Sequence, residues 1–312
     1  MAKSALIAIG GNSLIRAGEK GTIAEQLANT RRTAHAIVKL MNDGFNVVIT
    51  HGNGPQVGAA LIRSERASDQ VYGHPLDVCD ATTQGEIGYL LQQSLCNELA
   101  ALGKVHPVVT VVSQVVVSAT DPAMQKPTKP VGPFYSRETA EEKKRTLGWQ
   151  IVEDAARGWR RVVPSPEPLE IVEEGIIKGL LAQGVLVVAV GGGGIPVVRE
   201  GKMLKGVEAV IDKDRASALL AARLKVDLFV ISTDAASVYL DYKKPTQRPL
   251  SKVTAAELEG YYQAGQFPPG NMGPKVESAL RFLKNGGHEC IITSYEYLVD
   301  AVLGSAGTRI VP

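Results

Sequence analysis

Three apolar runs in this chain stop at a cluster of glycines, and that device constrains its fold more than any other feature. Residues 5–9 lead into Gly10-Gly11-Asn12-Ser13, 47–50 into His51-Gly52-Asn53-Gly54, and 185–190 into Gly191-Gly192-Gly193-Gly194. The runs 5–9, 46–50, 107–112, 185–190, 228–232 and 290–293 are apolar along their whole length, as strands of a parallel sheet covered on both faces are. Helical patterns separate them. Thr22 with Glu25 three residues on reads as a capping box opening a helix to about Asn42, before Gly44. The same periodicity marks 55–66, 77–102, 169–183, 213–224 and 274–285. The alternation predicts an α/β fold, an open, mostly parallel sheet sandwiched by helices. In such sheets ligands collect where strands end, and glycine lets backbone N–H groups approach an anion closely. One cluster alone is equally a tight turn; three at one edge predict a phosphate or oxyanion cradle.

Several other chemistries are excluded. With 34 Lys+Arg against 32 Asp+Glu, a net +2, nothing draws the chain to a polyanion, so no nucleic-acid partner is expected. Hydrophobic residues at 45% and charged residues at 21% allow a large core. Cys79, Cys96 and Cys290 are far apart and odd in number, which supports neither disulfides nor a cysteine zinc site and reads as buried thiols in a reducing compartment. The five histidines are dispersed, giving no metal site. The first apolar stretch is too brief for a signal-peptide core, so the cytoplasm is the expected location. No run approaches the roughly 20 residues that cross a bilayer. No Gly-x-x-x-x-Gly-Lys-Ser/Thr occurs, Val57 stands where a dinucleotide fingerprint needs its third glycine, and Gly-x-Ser-x-Gly is missing. P-loop, Rossmann and triad sites are therefore unsupported.

The chain reads as one domain over 1–312, interrupted at 119–166. Prolines 122, 127, 130 and 133 precede that stretch's charged middle, and 164, 166 and 168 follow it. It holds both tryptophans, Trp149 and Trp159, but no strong strand pattern, so it should protrude, either as a surface excursion or as a lid over a ligand. Arg199-Glu200-Gly201-Lys202 reads as a hairpin turn. Three lysines stand in suggestive settings: Lys213 between Asp212 and Asp214 at a helix start, Lys275 after the turn 270–274, and Lys129 before Pro130 in the insertion. The two aspartates would cap the helix electrostatically; they could also aim Lys213 at a transferring phosphoryl group. Lys129 reaches such a site only if the insertion folds over it.

Taken together, these motifs resemble the carbamate kinases of the amino-acid-kinase superfamily. The likeness runs through residues 9–14, 50–58, 75–79, 84–89, 127–135, 161–166, 191–197, 210–214, 232–234 and 273–275, with a similar ending at 307–312. The resemblance implies reversible phosphoryl transfer between ATP and carbamate, giving ADP and carbamoyl phosphate, with Mg²⁺ carried on the nucleotide and a homodimer as the assembly. It further implies a catabolic direction making ATP from carbamoyl phosphate, as in arginine metabolism. Gly10, Gly11 and Asn12 would then contact the transferring phosphoryl group, and Gly52 and Asn53 the carbamate side. Lys129, Lys213 and Lys275 would neutralise charge, with Asp212 orienting the lysines. Gly192, Gly193, Asp214, Asp234, Tyr239, Tyr242, Met272 and Gly273 would belong to the nucleotide side. Carbamate is already an anionic nucleophile, so no general base is needed.

Two positions depart from the pattern: Arg215, where an apolar residue is expected, and Ala235-Ala236, where bulkier or acidic ones are. Both flank the implied nucleotide site. Ile87, Leu90, Leu91 and Leu95 form an apolar stripe that faces either a second copy or the chain's own core. A different acceptor on the same fold, or an inactive nucleotide-binding subunit, are the rival readings; the carbamate-type insertion argues against the first and the complete lysine set against the second.

Overall fold

The computed structural model describes residues 3–16, 18–154, 158–268 and 272–312. All six expected apolar runs become strands: β1 Lys3–Ile9, β2 Phe45–His51, β3 Val108–Thr110, β4 Leu186–Val188, β5 Leu228–Thr233 and, after a further short strand, Cys290–Ser294. That short strand, Lys252–Thr254, is β6, Cys290–Ser294 is β7, and Thr308–Val311 is β8. Among the described residues these eight form one sheet in the order β6-β8-β7-β5-β1-β2-β4-β3. The six runs from β7 to β3 lie side by side and are mutually parallel. β6 and β8 were not apparent from hydropathy because each is short and charged, β6 carrying Lys252 at the sheet's edge and β8 carrying Arg309 between its two neighbours; β8 runs antiparallel to β7.

Each central strand alternates its apolar side chains between two cores. Leu6, Ala8, Val48, Phe229 and Ile231 pack on one face, and Ile7, Ile9, Ile49 and Val230 on the other. The helices α1 Ile23–Asn42, α2 Gly54–Arg66 and α3 Leu76–Ala101 come first along the chain. Later come α4 Glu174–Ala182, α5 Lys213–Leu224 and α6 Met272–Lys284. Thr22 and Glu25 form the expected reciprocal cap of α1. The pattern over 169–183 begins its helix late, since Glu170–Ile171 pairs instead with Gln114–Val116 in a second, four-stranded sheet. The turn at Gly201, φ 64°, closes the expected hairpin there.

The stripe Ile87, Leu90, Leu91 and Leu95 faces this chain's own core, each at most 3% exposed, so it forms no surface for a second copy. Cys96 is exposed, contrary to the expectation for all three thiols, while Cys79 and Cys290 are buried. The insertion is more ordered in pattern than its sequence suggested. Lys129–Tyr135, Ile151–Asp154 and Gly158–Val163 make an antiparallel three-stranded sheet with the helix Arg137–Leu147 on it. Its strands are short, proline-broken and charged, which hid them. Among the described residues no helix is long and apolar enough to cross a membrane.

Candidate active site

The carboxyl ends of β1, β2 and β5 bring their loops together at backbone distance. A Cβ at Gly10 would stand 2.9 Å from the Ser232 carbonyl, and one at Gly52 would stand 3.3 Å from the Gly11 nitrogen. A side chain at Gly10 would collide with backbone, and one at Gly52 would be tight against it. The side chain of Asn12, a residue expected to contact the phosphoryl group, lies outside what is described; its backbone forms the 3-10 turn Gly11–Ser13.

Lys213 enters this junction from the start of α5, its Cδ 3.6 Å from where a Gly52 side chain would begin. Its ammonium lies 2.7 Å from Asp214 Oδ1, and Lys275 from α6 lies 2.9 Å from Asp214 Oδ2. Asp214 thus holds both lysines. Asp212, expected to orient the lysines, instead accepts from Lys129 at 3.0 Å and from the Asp214 backbone N–H at 3.0 Å as the cap of α5. The capping and lysine-holding roles of this Asp-Lys-Asp element coexist, divided between its two carboxylates. Lys129 opens the first strand of the insertion, so the protruding sheet already delivers one lysine to the Asp-Lys-Asp element.

Burial would raise the Asp214 carboxyl, but the ammonium groups of Lys213 and Lys275 outweigh it and hold it well below the usual carboxylate range. Lys213 is pushed down by burial, with Lys275 adding to the effect and Asp214 opposing it. Lys275 is also pushed down by burial, yet the Asp214 charge and bond, with Asp212 and Asp234 behind them, leave it raised. The buried Lys213 ammonium meets Asp214 Oδ1 at 2.7 Å and no other acceptor among the described residues, so donor capacity is left over from its three N–H groups. A buried cation with open donor capacity is a site for an anion.

The nucleotide-side residues divide into two groups. Asp234, Ala235, Tyr239, Tyr242, Phe267 and Met272 line a cavity of ≈ 440 Å³, within the range of small-ligand pockets. The Tyr239 and Tyr242 rings stand 6.1 Å apart. Met272 and Lys275 share the first turn of α6, which joins the aromatic cavity to the lysines. Gly273 lies within that turn, its N–H on the Pro268 carbonyl at 3.1 Å. The preceding turn residues Gly270 and Asn271 lie outside the described ones. Gly192 and Gly193, expected on the nucleotide side, are placed elsewhere: a side chain at Gly192 would strike Asn53 and Asp80, and one at Gly193 would strike the Ile211 carbonyl. Neither lines the aromatic cavity.

That four-glycine loop is clamped from α3. Gln84 donates to the Gly191 carbonyl at 2.9 Å and to the Ser113 carbonyl at 3.1 Å, and accepts from the Ser113 N–H at 2.8 Å. Val190, just before it, is held at φ 52°, a left-handed conformation that strains a β-branched residue by about 1–3 kcal/mol, and its N–H donates to Ser113 Oγ. His51 is buried beside the loop, and burial lowers it to about 4 despite its bond to the Gly52 carbonyl. Asp80 and Thr83 meet Asn53. Sequence reasoning missed Asp80, Thr83 and Gln84, although three polar side chains at 80, 83 and 84, in helical register with the apolar Ile87 and Leu91, were a usable signal.

Arg215 does not face the nucleotide cavity. With Arg281 it forms a closed ring of ion pairs to Glu167 and Glu277, all four contacts between 2.5 and 2.9 Å. The ring ties the insertion's return stem to α5 and α6.

Comparison with known proteins follows the same line. The amino acid kinase family is matched over residues 3–294. The carbamate kinase of Thermococcus kodakarensis is 50% identical over 99% of this chain and 99% of its own. That of Pyrococcus furiosus is 48% identical over 100% of both. Among solved structures, a carbamate kinase from Giardia lamblia bound to AMP-PNP is 44% identical, with a TM-score of 0.95 over 99% of this chain and 98% of that one.

Proposed function

We propose a reaction path from one premise: the chain belongs to the amino acid kinase family and has carbamate kinase activity, the reversible transfer of a phosphoryl group between ATP and carbamate. The observation that carries the path is the buried Lys213 ammonium, paired among the described residues with Asp214 alone and left with donors to spare.

In this reading the aromatic cavity takes the adenosine, with Tyr239, Tyr242 and Met272 against the base and Asp234 toward the ribose. The phosphates run along the first turn of α6 to Lys275 and Lys213. The glycine loops at 10–11 and 52–53 receive the transferring group and the carbamate, and Asn12 belongs to the phosphoryl end. Lys129, Lys213 and Lys275 stand against Asp212 and Asp214, which leaves one positive charge to offset the two anions that must meet. Asp214 keeps Lys213 and Lys275 in position without neutralising both. Because carbamate attacks as an anion, no side chain has to remove a proton; the neutral His51 is consistent with a structural role. Transfer then depends on placement and on charge neutralisation in a water-poor site.

Mg²⁺ belongs to the substrate in this scheme. Among the described residues no group of three His, Cys, Asp or Glu side chains is placed to hold a metal, and Asp212 and Asp214 are engaged by lysines. The ion would arrive on the nucleotide's phosphates and neutralise part of their charge. A homodimer working in the cytoplasm, making ATP from carbamoyl phosphate, completes the proposal; its interface lies away from the Ile87 stripe. The test is ATP formation from ADP with carbamoyl phosphate, beside other acyl and alkyl phosphates, with and without Mg²⁺, together with sedimentation. Transfer from carbamoyl phosphate well above the others supports the reading, and none at all refutes it.

A further inference from the structure

A buried carboxylate that the transfer itself does not use lies directly behind the carbamate end of the site. Asp80, on the second turn of α3, is 7% exposed, and Asn53, at the cap of α2, is 4% exposed. The Asn53 amide nitrogen donates one hydrogen bond to Asp80 Oδ1 and another to Thr83 Oγ1 at 2.8 Å, and the Thr83 hydroxyl donates in turn to the Asp80 backbone carbonyl at 2.7 Å. Gly192 closes the third side: at φ 71°, any side chain there would meet Asn53, and its first carbon would stand 2.5 Å from Asp80 Oδ1. A side-chain amide has two N–H donors and one carbonyl acceptor. Both donors of Asn53 are taken, and its side chain makes no capping bond to α2. Its Oδ1 has no hydrogen-bond partner among the described residues and is not one of the atoms sealed from solvent without a partner.

We propose that Asp80 is a positioning residue for substrate selection: with Thr83 it fixes the Asn53 amide so that the Asn53 carbonyl oxygen faces the small substrate, where it accepts a hydrogen bond from the amino group of carbamate or carbamoyl phosphate. This rests on the reading that Asn53 lies at the carbamate end. An amide free to flip would present N–H donors as often as its oxygen, and donors suit any carboxylate or acyl phosphate alike. A fixed acceptor favours an acyl group that carries N–H over one that carries a methyl group, such as acetyl phosphate, because the methyl leaves the oxygen unpaired.

The arrangement is poor value as a stability device. Burial pushes the Asp80 carboxyl up to about 7, with the Asn53 bond pulling it back and the Asp77 charge adding to the rise. Among the described residues Asn53 is the sole donor to that carboxylate. Buried carboxylates are stabilising when several donors satisfy them; one with a single amide donor sets orientation.

The experiment compares Asp80→Ala, Thr83→Val and the conservative Asp80→Asn with the wild type. ATP formation is measured with carbamoyl phosphate, and acetyl phosphate is read as an alternative substrate or as a competitive inhibitor. In Asp80→Ala the KM for carbamoyl phosphate should rise about tenfold, the scale of one hydrogen bond, while the KM for ADP and the behaviour of acetyl phosphate hold. Thr83→Val, which keeps the shape of the side chain, should move in the same direction by less and decides the matter if Asp80→Ala does not fold. Asp80→Asn, whose carbonyl still accepts from Asn53, should retain most of the selectivity. If both acyl phosphates weaken together, or the KM for ADP rises in step, Asp80 is only structural and the inference fails. A wild type inactive with carbamoyl phosphate would overturn the functional reading as well, so the two failures are distinct.

Discussion

Replacing Lys213 by methionine tests the charge argument most directly. Methionine keeps the unbranched, apolar stem in the slot beside Gly52 and removes the ammonium. The lysine side chain is 12% exposed, so a phosphoryl oxygen brought to it is screened little by water. A unit charge about 4 Å from that oxygen, at an effective dielectric of about 20, is worth about 4 kcal/mol. At about 1.4 kcal/mol per decade this predicts that turnover falls roughly a thousandfold. Asp214 keeps Lys275 at 2.9 Å, so the buried carboxylate retains one cation and the fold should persist. The assay is steady-state ATP formation from ADP and carbamoyl phosphate, with calorimetric ADP binding and thermal unfolding as controls. Since Lys213 lies at the glycine junction rather than in the aromatic cavity, ADP affinity should fall far less than turnover. A folded variant with turnover reduced less than about tenfold would refute the reasoning, and an equal loss in ADP affinity would move Lys213 to the binding of the nucleotide.

Lys129→Ala should weaken carbamoyl phosphate far more than ADP, because Lys129 reaches the site from the insertion and pairs with Asp212; equal weakening, seen by titrating each ligand, would sink that assignment. Hydrogen exchange over the strand Lys129–Tyr135 should slow when ADP and a carbamoyl phosphate analogue are both bound, and unchanged exchange would make the insertion a fixed wall. Asp80→Asn should be more stable than the wild type above neutral pH. The folded Asp80 carboxyl, raised to about 7 from its ordinary 3.8, takes up its proton more readily than the unfolded chain does. Its contribution is therefore fully present below pH about 4 and is lost as pH rises through 7. Thermal unfolding at pH 4, 6 and 8 should show the variant's advantage growing, and a constant gap would contradict the sign. Gly192→Ala should lower stability by about 1–3 kcal/mol from backbone strain alone, and more from collision with Asn53, measured by denaturant unfolding; a neutral outcome would mean the loop is not held as described.

The central strands and the glycine turns were determined by sequence alone, because both are local. Six apolar runs needed burial on two faces, and each found it side by side in one sheet. Glycines 10 and 52 were legible because strand ends that meet at backbone distance tolerate no side chain. The lysines could be named from their neighbours, but their partners could not. Lys129 meets Asp212 across 83 residues and Lys275 meets Asp214 across 61, and no local pattern distinguishes the two carboxylates. Only packing of α5 against α6, and of the insertion over α2, gives Asp214 two lysines and leaves Asp212 with one. The same holds for Asp80, which looks like one more polar residue on α3 until β2 and the four-glycine loop arrive beside it. The Ile87 stripe carries the lesson in reverse: its periodicity required a buried face, and only the tertiary structure decided that the face was this chain's own. Short-range sterics and hydropathy act within a few residues and can be read there; the choice among chemically equal partners is made by which surfaces the whole fold brings into contact.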